Sequence, residues 1–143
     1  MIRPRLILCE KTSAWAIALR WALADSGLRV YETRTLADAW QQLVLFPASL
    51  LALELRGGNL GEIVRLLVQQ RQTFPHGAMV VLARREHADC EWVLREAGAI
   101  HVVTSQRDLV PLARLVSRFV QRTSVPSRGL LETIWDRLPW GSP

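Results

Sequence analysis

Four consecutive apolar residues, Leu50-Leu51-Ala52-Leu53, run into a single acid, Glu54, and Gly57-Gly58 breaks the run shortly afterwards. A short apolar run without alternation, closed by a turn signal, reads as a strand buried on both faces. Burial on both faces requires a parallel sheet covered by helices, so helical patterns must flank the run in sequence. In open parallel sheets, ligands and chemistry gather at the carboxyl ends of the strands, and Glu54 stands at such an end. The same place also suits the first solvated residue after a buried strand, because charges are rarely fully buried.

The flanking patterns are there. Arg5–Cys9 is an apolar run ending in Glu10-Lys11, and Thr12 or Ser13 can cap the helix that follows. That helix, Ala14–Ser26, stops at Gly27 and sets Trp15, Ala18, Leu19, Ala22 and Leu23 on one face, with Ile17, Trp21 and Ala24 on the other. Leu28–Tyr31 reads as a short strand, Leu36–Leu45 as a helix closed by Pro47, and Ser49–Leu55 as the central strand. A helix from Asn59 or Leu60 to Thr73 ends before Pro75, and Ala78–Ala83 is again fully apolar. Glu86–Ala97 is a helix stopped by Gly98, Ile100–Thr104 a strand, and Asp108–Arg122 a last helix. Strand and helix alternate five times, which predicts a flavodoxin-like, doubly wound five-stranded parallel sheet of order 2-1-3-4-5 over residues 1–122. Glu10-Lys11-Thr12-Ser13 contains no glycine, so the phosphate-binding fingerprint of dinucleotide and flavin folds is missing after the first strand.

Composition narrows the function classes. The chain has 143 residues, half of them hydrophobic, with no apolar run long enough to span a membrane. The first ten residues reach an acid too soon for a signal peptide, so a cytoplasmic protein with no membrane partner is expected. Cys9 and Cys90 lack metal or redox spacing, and His76, His87 and His101 lack ligand spacing, so no metal and no cofactor are expected. The net charge is +5, yet the arginines are scattered and no basic run alternates with aromatics. A small basic nucleic-acid binder therefore remains an alternative, but a disfavoured one.

Taken together, the segment Pro47–Leu55 and the run Arg95-Glu-Ala-Gly-Ala99 before the last strand resemble the receiver domains of bacterial response regulators. The resemblance spans about Arg5 to Arg122. It implies a pocket of two metal-binding acids after the first strand, a phosphorylated aspartate ending the third, a threonine or serine ending the fourth and a lysine ending the fifth. Those positions here hold Glu10 and Lys11, Glu54, Ala83, and Ser105. The aromatic switch position on the fifth strand is Val102. Magnesium requires several hard oxygens, and the Lys11 ammonium would repel it. Phosphoryl transfer needs cations that neutralise developing charge, and the usual ones are gone. The Lys11 ammonium is expected near Glu54 or Glu10, in place of those cations. A module fixed in one state and the decay of an unused pocket fit these departures equally. Both imply loss of phosphorylation and no enzymatic activity. A phospho-acceptor response regulator using Glu54 is the other alternative.

Residues 123–143 follow the receiver pattern as a Pro/Gly-containing linker and a short amphipathic C-terminal segment. Leu130, Leu131, Ile134, Trp135 and Leu138 share one face at helical spacing, with Trp140 just beyond. Such a segment is too short to be stable alone in water, so it is expected to dock on its own domain or on a partner. The resemblance places kinase and phosphotransfer contacts on the first and fifth helices. Ile17, Trp21, Leu131, Ile134, Trp135, Leu138 and Trp140 are accordingly the candidate protein interface. The functional expectation is a non-phosphorylatable pseudo-receiver, a protein-protein interaction module in bacterial signalling that meets a signalling protein or forms a homodimer.

Overall fold

The structure is a computed structural model that describes residues 4–122. Five parallel strands, β1 (Arg5–Cys9), β2 (Arg29–Thr33), β3 (Leu50–Glu54), β4 (Ala78–Leu82) and β5 (His101–Val103), form one sheet in the order β2-β1-β3-β4-β5. The expected order is thus observed. The connecting helices are α1 (Ala14–Ala22), α2 (Leu36–Leu45), α3 (Leu60–Thr73), α4 (Glu91–Ala97) and α5 (residues 110–122). The linker and apolar segment of residues 123–143 lie outside the described residues.

Side chains alternate across each strand, so one strand feeds two cores. Leu6 and Leu8, Leu50 and Ala52, and Val80 and Leu82 face α1 and α5, where they meet Trp15, Leu19, Leu112 and Val116. Ile7, Leu51 and Leu53, and Met79 and Val81 face the other way, against Ala39, Leu43, Ile63, Leu67 and Leu94 of α2, α3 and α4. Every residue of β3 and β4 is buried, which accounts for their unalternating sequence. The edge strand β2 does alternate, with Val30 and Glu32 half-buried and Arg29 and Tyr31 exposed, so its two faces are unequally covered.

Two helices are shorter than their periodicity suggests. The first ends at Ala22, and Ala24–Ser26 forms one 3-10 turn before Gly27 takes a left-handed φ of 76°. Ser26 explains the early stop: its hydroxyl donates to the Leu23 carbonyl at 2.7 Å and accepts from the Leu28 amide, competing with the helical ladder. In the fourth connection Arg85–Cys90 is 3-10, broken at His87, and only Glu91–Ala97 is α-helical. The Ala97-Gly98-Ala99 run has a local cause. Gly98 closes α4 with φ 127°, donates to the Leu94 and Arg95 carbonyls, and lies under the Arg71 stem, where a β-carbon would collide.

Candidate functional site

The carboxyl ends of β1, β3 and β4 open into a cavity of about 300 Å³, lined on one side by Lys11 and the Glu54–Gly57 turn and on the other by Arg84, Glu86 and His87. Lys11 and Glu54, both singled out from sequence, are therefore brought together. Ala83 and Val102 are buried and Ser105 is half-buried, and none of the three lines the cavity.

Glu54 is not a solvated strand end. It is 5 % exposed, and its Oε1 accepts from the Arg56 Nε at 2.7 Å. Lys11 lies in the same cavity as Glu54, as expected, but it is exposed and makes no ion pair among the described residues; the cation that bonds the acid is Arg56. The turn makes this possible. Asn59 Oδ1 accepts from the Arg56 amide at 2.8 Å, and its side-chain amide donates to the Glu54 carbonyl at 3.1 Å. These two bonds fold the chain back at Gly57-Gly58, where Gly58 has φ 94°, and lay the arginine over the acid two residues before it. The signal was an arginine and an asparagine flanking a Gly-Gly turn, but spacing alone does not show which way such a turn folds.

Glu10 also departs from expectation. It does not line the cavity but turns onto the start of α1. At 1 % exposure, its two carboxylate oxygens accept from the Trp15 amide at 3.0 Å and the Ala16 amide at 2.7 Å. Ser13 holds the N-cap position without a side-chain capping bond and Thr12 Oγ1 accepts from the Ala14 amide at 3.4 Å, but the stronger cap of α1 is Glu10, which also meets the helix dipole with a negative charge. Arg34, unremarked in sequence, pins the loop from outside: it donates to the Glu10 and Thr12 carbonyls and to the Ser13 hydroxyl.

Burial pushes the Glu10 carboxyl above its ordinary value; the two amide bonds pull it back only in part, and the Glu54 and Glu32 carboxylates add to the rise. A carboxyl with a raised folded pKa holds its proton better in the folded state. Its contribution to stability is full below the ordinary value of 4.5 and is lost as pH rises through the folded value. Unfolding free energies measured across that window are expected to fall with rising pH, and Glu10→Gln is expected to flatten the slope. An identical slope in the variant would remove Glu10 as its source.

The magnesium ion that the receiver resemblance implies does not fit these residues. One candidate carboxylate is spent on α1 amides, the other on Arg56, and Lys11 and Arg84 add positive charge. Among the described residues no three His, Cys, Asp or Glu side chains converge as a ligand set.

No family model matches the sequence, and no curated protein matches it. Solved structures do. A response regulator from Thermotoga maritima aligns with a TM-score of 0.70 at 20 % identity, over 83 % of this chain and 98 % of that one. A response regulator receiver domain protein from Clostridium thermocellum aligns at 0.65 and 13 % identity, over 85 % and 98 %. A third, described as an atypical orphan response regulator with a phosphorylation-independent regulatory mechanism, aligns at 0.64 and 18 % identity, over 80 % and 96 %. The fold of residues 4–122 is that of response-regulator receiver domains. Among the described residues no helix is long and apolar enough to cross a membrane.

Proposed function

We propose that this chain is a pseudo-receiver: a signalling module that takes up no phosphoryl group, catalyses no reaction and acts by binding protein. One observation carries the reading. The carboxylate at the acceptor position is buried and already bound by an arginine at 2.7 Å. A nucleophilic carboxylate must reach its donor and be flanked by cations that stabilise the transferring group. Glu54 has its cation locked on the ground-state carboxylate, which stabilises the resting acid rather than a transition state. The half of the receiver switch that depends on rotating side chains is also missing, since Ala83 and Val102 have no hydroxyl or ring to move. A structural neighbour described as phosphorylation-independent supports such a module on this fold.

The test is exposure of the full chain to acetyl phosphate, and separately to beryllofluoride, each with magnesium. No mass increase and no change in amide spectra are expected. A stable adduct would revive the phospho-acceptor reading with Glu54.

The partner-binding face we assign is the outer side of α1. Trp21 is 83 % exposed and Ile17, one turn earlier, 60 %. Neighbouring exposed apolar side chains of this size tend to mark contacts. Leu131, Ile134, Trp135, Leu138 and Trp140 extend the same proposal to the C-terminal segment, which follows α5 in sequence; α5 and α1 pack on the same side of the sheet. The occupant is a signalling protein or a second copy of this chain, and the cytoplasm is the compartment that suits it.

A further inference from the structure

We propose that the cavity beside Glu54 is an anion site that binds a phosphate dianion, free or as a terminal phosphomonoester, reversibly and without covalent transfer. The proposal rests on the pseudo-receiver reading, because a working acceptor pocket needs the opposite sign of charge to hold its metal.

The charges decide it. Three cations, Lys11, Arg56 and Arg84, share the cavity with two acids, Glu54 and Glu86. Glu54 is answered by Arg56. Glu86 is two-thirds exposed and lies 3.9 Å from His87 at the rim. Lys11 and Arg84 have no ion pair among the described residues, although both line the same small space. Unpaired like charges around one cavity repel each other, and an anion between them turns that repulsion into attraction.

Arg56 supplies the geometry. Only its Nε is given to Glu54, and its terminal N–H groups make no bond to the described residues. The side chain is 36 % exposed, so the free part of the fork is reachable from the cavity. A guanidinium fixed through Nε by a buried acid is pre-oriented, and its remaining donors match a tetrahedral oxyanion. Asn59 holds the turn that carries it. Ammonium, guanidinium and the fixed fork together favour a compact dianion over a single carboxylate, since each can take a separate oxygen. The cavity, at about 300 Å³, has room for phosphate and for a small group esterified to it.

The experiment is a titration of the 15N-labelled full chain with inorganic phosphate and, in a second arm, with glycerol phosphate. Ionic strength is held near ~0.15 M with sodium chloride, so that general screening stays constant. Saturable shifts of the Gly57 and Gly58 amides are expected, and tighter binding in the second arm would assign the monoester. Lys11→Ala and Arg84→Ala should each weaken binding by about tenfold, the equivalent of one charge-assisted hydrogen bond. Glu54→Gln, which removes a like charge, should tighten it. Both cations are exposed, so melting curves of the two alanine variants should match the parent and exclude unfolding as the cause. The proposal is overturned if shifts fail to saturate, if sodium chloride reproduces them, or if both alanine variants bind as the parent does. Inorganic phosphate carries no activated phosphoryl group, so its failure to bind leaves the loss of acceptor chemistry standing. That reading fails separately, through an adduct with acetyl phosphate or beryllofluoride.

Discussion

Leu51→Ala is expected to lower the unfolding free energy by about 2–5 kcal/mol, whereas Glu54→Gln is expected to cost only about 1 kcal/mol. Leu51 is fully buried at the centre of the sheet, facing the α2–α3–α4 side, and alanine there leaves a cavity that close-packed strands cannot collapse into. Glu54, three residues on, is almost as buried, so burial alone would make the two alike. The difference lies in what each substitution leaves behind. The glutamine oxygen can still accept from Arg56 Nε, and Arg56 is exposed enough for water to answer the charge left over. Denaturant unfolding of the two variants beside the parent measures both values. Equal midpoints would mean that the Glu54–Arg56 pair is a structural keystone and not a remnant of a chemical site.

Two tryptophans on one helix should separate just as widely. Trp15→Ala is expected to cost about 3–5 kcal/mol, and Trp21→Ala to stay within about 0.5 kcal/mol. Trp15 sits at 1 % exposure among Leu6, Leu8 and the α5 side chains, and its indole N–H has no hydrogen-bond partner among the described residues. Its stabilisation is therefore all packing, reduced by one unsatisfied donor, and Trp15→Phe should recover most of it. Trp21 has almost nothing to lose in folding. Its loss should instead appear in pull-down of a protein partner by the full chain, or in the monomer–dimer equilibrium. A Trp21→Ala chain that melts well below the parent would show that the residue serves the fold, and would remove the outer side of α1 as a binding face.

Much of the architecture was legible because it follows from periodicity. The unalternating runs in β3 and β4 require cover on both faces, and the strand–helix alternation then admits few topologies. The two shortened helices were less legible. Ser26 and the Arg85–Cys90 segment carry helix-compatible side chains, and what interrupts them is a competing local hydrogen bond or a backbone kink at His87.

At the site the division is sharper. The sequence shows the residue types: an acid with a lysine after β1, a glutamate ending β3, and no hydroxyl or terminal lysine where receivers carry them. It could not determine which charge answers which. Lys11 is nearest to Glu10 along the chain, yet Glu10 is held by the Trp15 and Ala16 amides of α1, and Lys11 stands exposed. Arg56 reaches Glu54 because Asn59 closes the turn behind it, and Arg84 joins the cavity only because β4 lies beside β3. Ion pairs are decided by distances of a few ångströms between side chains on different elements, and those distances are set by turn direction and sheet order, which spacing along one chain does not encode.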